Sequence, residues 1–160
     1  MDFRLESTAF GAGGEIPVRH TCDGEDLSPP LAWRDVPAGT RSLALVVDDP
    51  DAPDPSAPRM VWVHWVVVDL PPHLEALPEG VSGRLTSPAV EGWNDWKELG
   101  WRGPCPPIGR HRYYHKLYAL DRTLAPDAPL SKAELERRMV GHVLAKAELV
   151  GRFQRERQPR

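Results

Sequence analysis

The sequence predicts a mainly β protein, an antiparallel two-sheet sandwich with one long helix near its C-terminal end packed on the outside. Three observations carry that expectation. Eighteen prolines lie between Pro17 and Pro159 of the 160 residues, and they cut the chain into pieces too short for long helices before residue 130. Between them stand short runs rich in Val, Leu, Trp and Tyr, bounded by turn residues. Sustained helical periodicity begins only at Ser131, so strands come first and a helix last, with no βαβ alternation.

In chain order, residues 3–7 and 31–33 are candidate short strands. Residues 42–48, Ser-Leu-Ala-Leu-Val-Val-Asp, form an apolar, β-branched run that ends on acidic residues and Pro50, as a buried strand does on reaching its loop. The acidic, proline-rich segment 48–58 reads as that loop, and its length invites a functional role. Residues 60–69 are again strand-like, with Val61, Val63, Trp65 and Val67 on one face and Trp62, His64, Val66 and Val68 on the other, both faces buried. Residues 87–90 are a further candidate. In residues 111–120 strand alternation puts His111, Tyr113 and His115 on one face and Arg112 and Tyr114 on the other. Ser131 and Glu134 form a capping-box signature, and Leu135, Met139, Val143, Ala147 and Val150 recur at helical spacing. They predict one amphipathic helix over 131–155, closing near Gly151.

A chain of 160 residues fits a single domain, 1–160, and buries roughly 70% of its unfolded surface. The net charge of -3 and pI near 6.1 argue against nucleic-acid binding. Residues 131–160 carry eight Lys/Arg and four Asp/Glu, read as a solvated helix face. No basic segment followed by an apolar one opens the chain, and no apolar run reaches the length of a spanning helix, so a cytoplasmic protein without stable membrane insertion is expected. Cys22 and Cys105 make neither a disulfide framework nor a zinc spacing, and on compartment grounds they read as two reduced thiols, with a bridge between them as the alternative. His111 and His115 lie about 13 Å apart along a strand, too far to share a metal. No metal or cofactor is expected. His20, His73 and His142 read as surface or packing residues.

The segment 103–115, Gly-Pro-Cys-Pro-Pro-Ile-Gly-Arg-His-Arg-Tyr-Tyr-His, runs from a loop that cannot be helical straight into a strand. Pro104, Pro106 and Pro107 fix φ and remove donors, which stiffens a rim. Polar groups at three strand ends, Asp49, Trp62 with His64, and His111 with Tyr113, are expected to converge beside it. Two imidazoles and a phenol, with backbone N–H groups around Gly103, can donate to a phosphate or carboxylate. Asp49 would orient a histidine or hold its charged form, and Trp62 would form an apolar wall. Asp48 and Asp51, beside proline, read as turn formers. No Gly-x-Ser-x-Gly elbow or His-Glu-x-x-His occurs, so the His/Asp set is catalytically incomplete and no enzyme activity is expected, a hydrolase built on that cluster being the least favoured alternative.

The segments Thr21-Cys-Asp-Gly-Glu-Asp-Leu-Ser-Pro-Pro-Leu-Ala-Trp33, Asp49-Pro-Asp-Ala-Pro53, Trp62-Val-His-Trp65, Gly92-Trp-Asn-Asp95, Gly103-Pro-Cys-Pro-Pro107 and His111-Arg-Tyr113 follow one another in an order that resembles the phosphatidylethanolamine-binding protein family. The resemblance is to its bacterial and archaeal branch of Raf-kinase-inhibitor-like proteins, the YbhB/YbcL type. It implies two antiparallel sheets, short peripheral helices and a small anion pocket made here of Asp49, Trp62, His64, Gly103, His111 and Tyr113. Asp26 stands where related chains commonly carry asparagine, and Trp93 and Trp101 add bulk before Gly103. The function implied is non-enzymatic binding of phosphate, a phosphorylated head group or a phosphorylated ligand. The alternative is inhibition of a protein partner, a protease or kinase, through the rim loops. A symmetric homodimer is the expectation for a small bacterial protein.

Overall fold

A computed structural model describes residues 2–156. Its strands are β1 (Arg4–Glu6), β2 (Leu31–Arg34), β3 (Ser42–Ala52), β4 (Met60–Leu70), β5 (Ala76–Leu77), β6 (Val90–Glu91), β7 (His111–Leu120) and β8 (Val143–Phe153), with one α-helix, α1 (Lys132–Met139), before the last strand. They form a three-stranded sheet, β1-β2-β5, and a five-stranded sheet, β6-β4-β3-β7-β8, antiparallel throughout. Among the described residues no helix is long and apolar enough to cross a membrane.

At the centre of the five-stranded sheet β3 and most of β4 are buried on both faces, which explains why they read as nearly continuous apolar runs. Leu43, Leu45 and Val47 of β3 join Trp65, Val67, Leu117 and Leu149 in the core between the sheets. Ala44 and Val46 join Val66, Val68, Leu135 and Met139 in a second core beneath α1. At roughly 25 cal/mol per Å² of apolar surface buried, these two cores are the main source of stability.

The long C-terminal helix is not formed, and α1 is eight residues. Its start is as predicted: Ser131 Oγ accepts from Glu134 N and Glu134 returns a bond to Ser131 N. Gly141, at φ +79, then turns the chain in a conformation that Gly adopts without strain. The chain leaves that turn as strand β8, on which Ala147, Leu149, Gly151 and Phe153 are buried while Lys146, Glu148 and Arg152 are exposed. The run satisfies a period of two as well as a helical one, and pairing with β7 along its whole length decides between them. Among the described residues the expected peripheral helices reduce to one 3-10 turn, Val18–His20.

Two further expectations change. The acidic segment is not a loop from Asp48, because β3 continues through Ala52 and carries Asp48, Asp49 and Asp51 as buried strand residues. Cys22 and Cys105 form a disulfide with Cα atoms 5.4 Å apart, so neither is a free thiol.

Candidate functional site

The C-terminal end of β3 and the N-terminal ends of β4 and β7 meet at one edge of the inter-sheet core, and a pocket of about 240 Å³ opens there. Of the residues expected at a site, Asp49, Trp62, His64, His111 and Tyr113 all line it.

His64 reaches the pocket because of a break in register. Val47 pairs with Trp65 and Asp48 with Val63, leaving His64 as an extra residue in a β-bulge. The bulge sends His64 and its neighbour Trp65 to the same side, where both rings contact Trp101, at 6.5 and 5.6 Å. Val63 turns to the opposite core instead. Strict alternation places His64 and Trp65 on opposite faces, and a single-residue insertion is invisible to a pattern argument. The bulged residue is clamped by the loop before Gly103: His64 Nδ1 donates to the Arg102 carbonyl, and Arg102 N donates to the His64 carbonyl at 3.1 Å. The ring is buried, which lowers its pKa against the opposing pull of the Arg102 carbonyl, Asp49, Asp48 and Asp95. The neutral form results, with Nδ1 carrying the proton and Nε2 a lone pair.

His111 behaves differently. Its Nδ1 lies 2.6 Å from Asp49 Oδ2 and its Nε2 lies 2.8 Å from the Ile108 carbonyl. Both partners only accept, so both ring nitrogens must carry protons. Burial opposes that charge, but the Asp49 hydrogen bond and charge, the Ile108 carbonyl and Asp51 outweigh it, and the pKa is raised. Asp49 is equally committed, because its Oδ1 accepts from Asp51 N at 2.7 Å. The His111–Asp49 pair therefore contributes a fixed dipole at the pocket wall. Neither nitrogen of His111 is left to donate to a ligand, contrary to the expectation of two donating imidazoles.

Tyr113 lies between the two histidines, its ring 5.2 Å from His64 and 6.3 Å from His111. Its hydroxyl is buried and has no hydrogen-bond partner. Burial, then the charges of Asp49 and Asp51, raise its pKa far above the usual phenol range, so it remains an O–H donor. A buried hydroxyl left unpaired costs about 1–3 kcal/mol, which a ligand oxygen would relieve.

Gly103 is not in the lining. Its N–H donates to Asp26 Oδ1 at 2.9 Å, and a Cβ there would collide with the His20 carbonyl and Asp26. It is a close-approach glycine that lets the loop dock, and its amide is not available to an anion. Asp26, with burial raising its pKa and the Gly103 amide lowering it, ends above the usual carboxylate range. The disulfide and a 3.0 Å bond from Cys22 N to the Pro104 carbonyl strap the same loop from outside, which brings Cys105, Pro106 and Pro107 to the pocket wall.

Sequence reasoning missed the opposite wall. Trp96 stands edge-on to Trp62 at 5.4 Å and to His64 at 5.1 Å, presented by a turn in which Asn94 Oδ1 accepts from Trp96 N. Its neighbours in Gly92-Trp-Asn-Asp95 were the available signal. Asp48 and Asp51 are not turn formers. Asp51 accepts from Arg112 N, Nε and Nη2, and its pKa is lowered chiefly by that side-chain bond. Asp48 takes the ammonium groups of Lys116 and Lys132 at 3.0 and 2.8 Å. Among the described residues no three His, Cys, Asp or Glu side chains are placed to hold a metal ion.

The profile of the family described as "Phosphatidylethanolamine-binding protein" matches residues 6–154. The UPF0098 protein of Methanothermobacter thermautotrophicus is 49% identical over 153 residues, covering 94% of this chain and 98% of the relative. A crystal structure of a phosphatidylethanolamine-binding protein homologue from Chlamydia trachomatis superposes with TM-score 0.88 at 40% identity, covering 96% of this chain and 98% of that one. YbcL of E. coli superposes with TM-score 0.87 at 33% identity, covering 98% and 100%.

Proposed function

This chain belongs to the phosphatidylethanolamine-binding protein family, and from that premise we propose that it is a non-enzymatic binding protein whose pocket takes a phosphate-like group carried by a small ligand. The observation that carries this reading is the unpartnered Tyr113 hydroxyl beside His64, at the base of a pocket walled by Trp62, Trp96, Met60 and prolines. Polar atoms that the protein leaves unsatisfied in a preformed apolar cleft are where a ligand's polar group belongs.

Binding without turnover fits what the side chains are already doing. His111 has both nitrogens bonded and cannot accept a proton from a substrate, and the Cys105 sulfur is in the disulfide. Tyr113 holds its proton, so no activated nucleophile stands beside His64.

The test is an NMR titration of the histidine ring signals with inorganic phosphate and with phosphoethanolamine, using His64→Ala and His111→Ala for assignment. Saturable shifts at His64, absent from His142, are expected. Unmoved His64 signals at millimolar ligand would reject the reading. In that event the exposed Trp93, Leu99 and Ile108 favour a protein partner docked on the apolar surface, a protease or kinase being the chemistry implied by resemblance.

A further inference from the structure

The polar atoms at the floor of the pocket specify more than phosphate. His64 Nδ1 is committed to the Arg102 carbonyl, so the nitrogen left for a ligand is Nε2, an acceptor in the neutral ring. Tyr113 Oη is a donor with no partner. The charges nearby cancel: Asp49 and the His111 imidazolium form a buried pair 2.6 Å apart. The remaining titratable or charged groups around His64 are Asp48 of β3, held by Lys116 and Lys132 on the far face, Asp95 on the β4 side, Tyr113 and His115 of β7, and Arg102. His115 is itself kept neutral by burial, down to about 4. Besides the indole N–H groups that Trp62 and Trp96 bring to the lining, Tyr113 and His64 offer one donor and one acceptor with little net charge, and a dianion, whose oxygens only accept, leaves that acceptor unmatched.

Resting on the proposed function, we infer that the pocket takes a phosphate monoester in its singly protonated form and discriminates against phosphate diesters. The ligand P–O–H donates to His64 Nε2, and Tyr113 O–H donates to a second phosphoryl oxygen. A diester of the same head group has no P–O–H. It would face the His64 lone pair with an acceptor oxygen, or require His64 to take up a proton that burial disfavours. A free phosphorylated head group and the same group esterified into a lipid thus present opposite hydrogen-bond patterns to this site. The first fits it and the second does not.

The decisive comparison is calorimetric titration of the wild-type protein with phosphoethanolamine and with glycerophosphoethanolamine, in buffers of differing ionisation enthalpy. A monoester has its second pKa near ~6. Binding measured at about pH 8 should therefore take up about one proton per ligand, and at about pH 5 none. The midpoint between the two should move with the ligand's own pKa when a more acidic monoester is used. The diester should bind at least about tenfold more weakly, the equivalent of one lost hydrogen bond. His64→Gln, whose amide can also donate, should narrow that gap. Equal affinity for monoester and diester, or monoester binding at pH 8 with no proton uptake, overturns the inference while leaving a phosphate pocket in place. No binding of either ligand removes the pocket reading and the inference together.

Discussion

Strand β7 carries two electrostatic designs back to back. On its outer face Arg112 grips Asp51 through Nε and Nη2, at 3.0 and 2.8 Å, and Lys116 joins Lys132 on the buried Asp48 carboxylate. Each of those charges has an opposite charge in reach. On the inner face the Tyr113 hydroxyl and His115 Nε2 are buried with no hydrogen bond at all. The outer pattern is what a fold does with charge when stability alone is at stake. The inner pattern costs stability, and where it lines a cavity, as at Tyr113, it marks a place kept for something else. His115 lies deeper, its Nδ1 near the Tyr113 and Leu149 carbonyls and its ring against Phe10, and it carries the same cost without facing the pocket.

The largest expected effect separates the faces by what holds their walls. The pocket wall is a loop tied by a disulfide whose cysteines are 83 residues apart. Reduction should lower the unfolding free energy by about 4.5 kcal/mol from lost loop-closure entropy. Phosphate affinity should fall with it, because Cys105 lines the pocket, while the Asp48 and Asp51 pairs are untouched. Denaturant melts with and without reductant, each paired with a ligand titration, measure both. Affinity that survives reduction would show that the wall is held by Gly103 and Arg102 alone.

Acid should strike the inner face next. A histidine whose folded pKa is depressed contributes stability that is present above its unfolded value of 6.5 and is lost as pH falls toward the folded value, about 4 for His115. That group alone should remove about 3 kcal/mol between those limits, and His64 adds in the same direction. His111 has the opposite sign. Its raised pKa stabilises fully below 6.5 and is lost as pH rises through the folded value. Stability should therefore peak near neutrality, and His115→Phe should flatten the acid limb. An unchanged limb in that variant would assign the acid loss elsewhere.

Asp48→Asn tests the outer face by itself. Removing the charge leaves Lys116 and Lys132 facing each other with side chains only 19% exposed. A loss of about 3 kcal/mol in chemical denaturation is expected, at the lower edge of what breaking buried pairs costs. Ligand affinity should not change, because the carboxylate lies on the far side of the sheet from the pocket. A parallel loss of affinity would mean that the two faces are coupled through β3.

How much of this was legible in the sequence depended on whether one residue could speak for its own geometry. The strand cores of β3 and β4 were visible, since strands buried on both faces leave apolar runs that few other structures produce, and β7 was visible by its alternation. His111 and Tyr113 followed from simple alternation. The side on which His64 lies did not, because the bulge exists only in the pairing of β4 with β3. Nor did β8, whose residues fit a helix until Gly141 and the free edge of β7 are considered together. The commitment of both His111 nitrogens was equally out of reach, since the Ile108 carbonyl that accepts from Nε2 is a backbone atom with no signature. Residue types proposed a site of donors, whereas only the partners showed which donors were already in use.

Tyr113→Phe gives the smallest and sharpest comparison. In most buried tyrosines, removing the hydroxyl costs a hydrogen bond, so stability falls. Here the hydroxyl has no partner, and its removal relieves a buried polar atom without breaking anything. The free protein should become more stable by about 1 kcal/mol. The same substitution should weaken phosphoethanolamine binding by about tenfold, because the atom it removes is the donor that the ligand uses. Opposite signs on stability and affinity distinguish a residue kept for binding from one kept for packing. Loss of both together would place Tyr113 with His115, in the core rather than at the site.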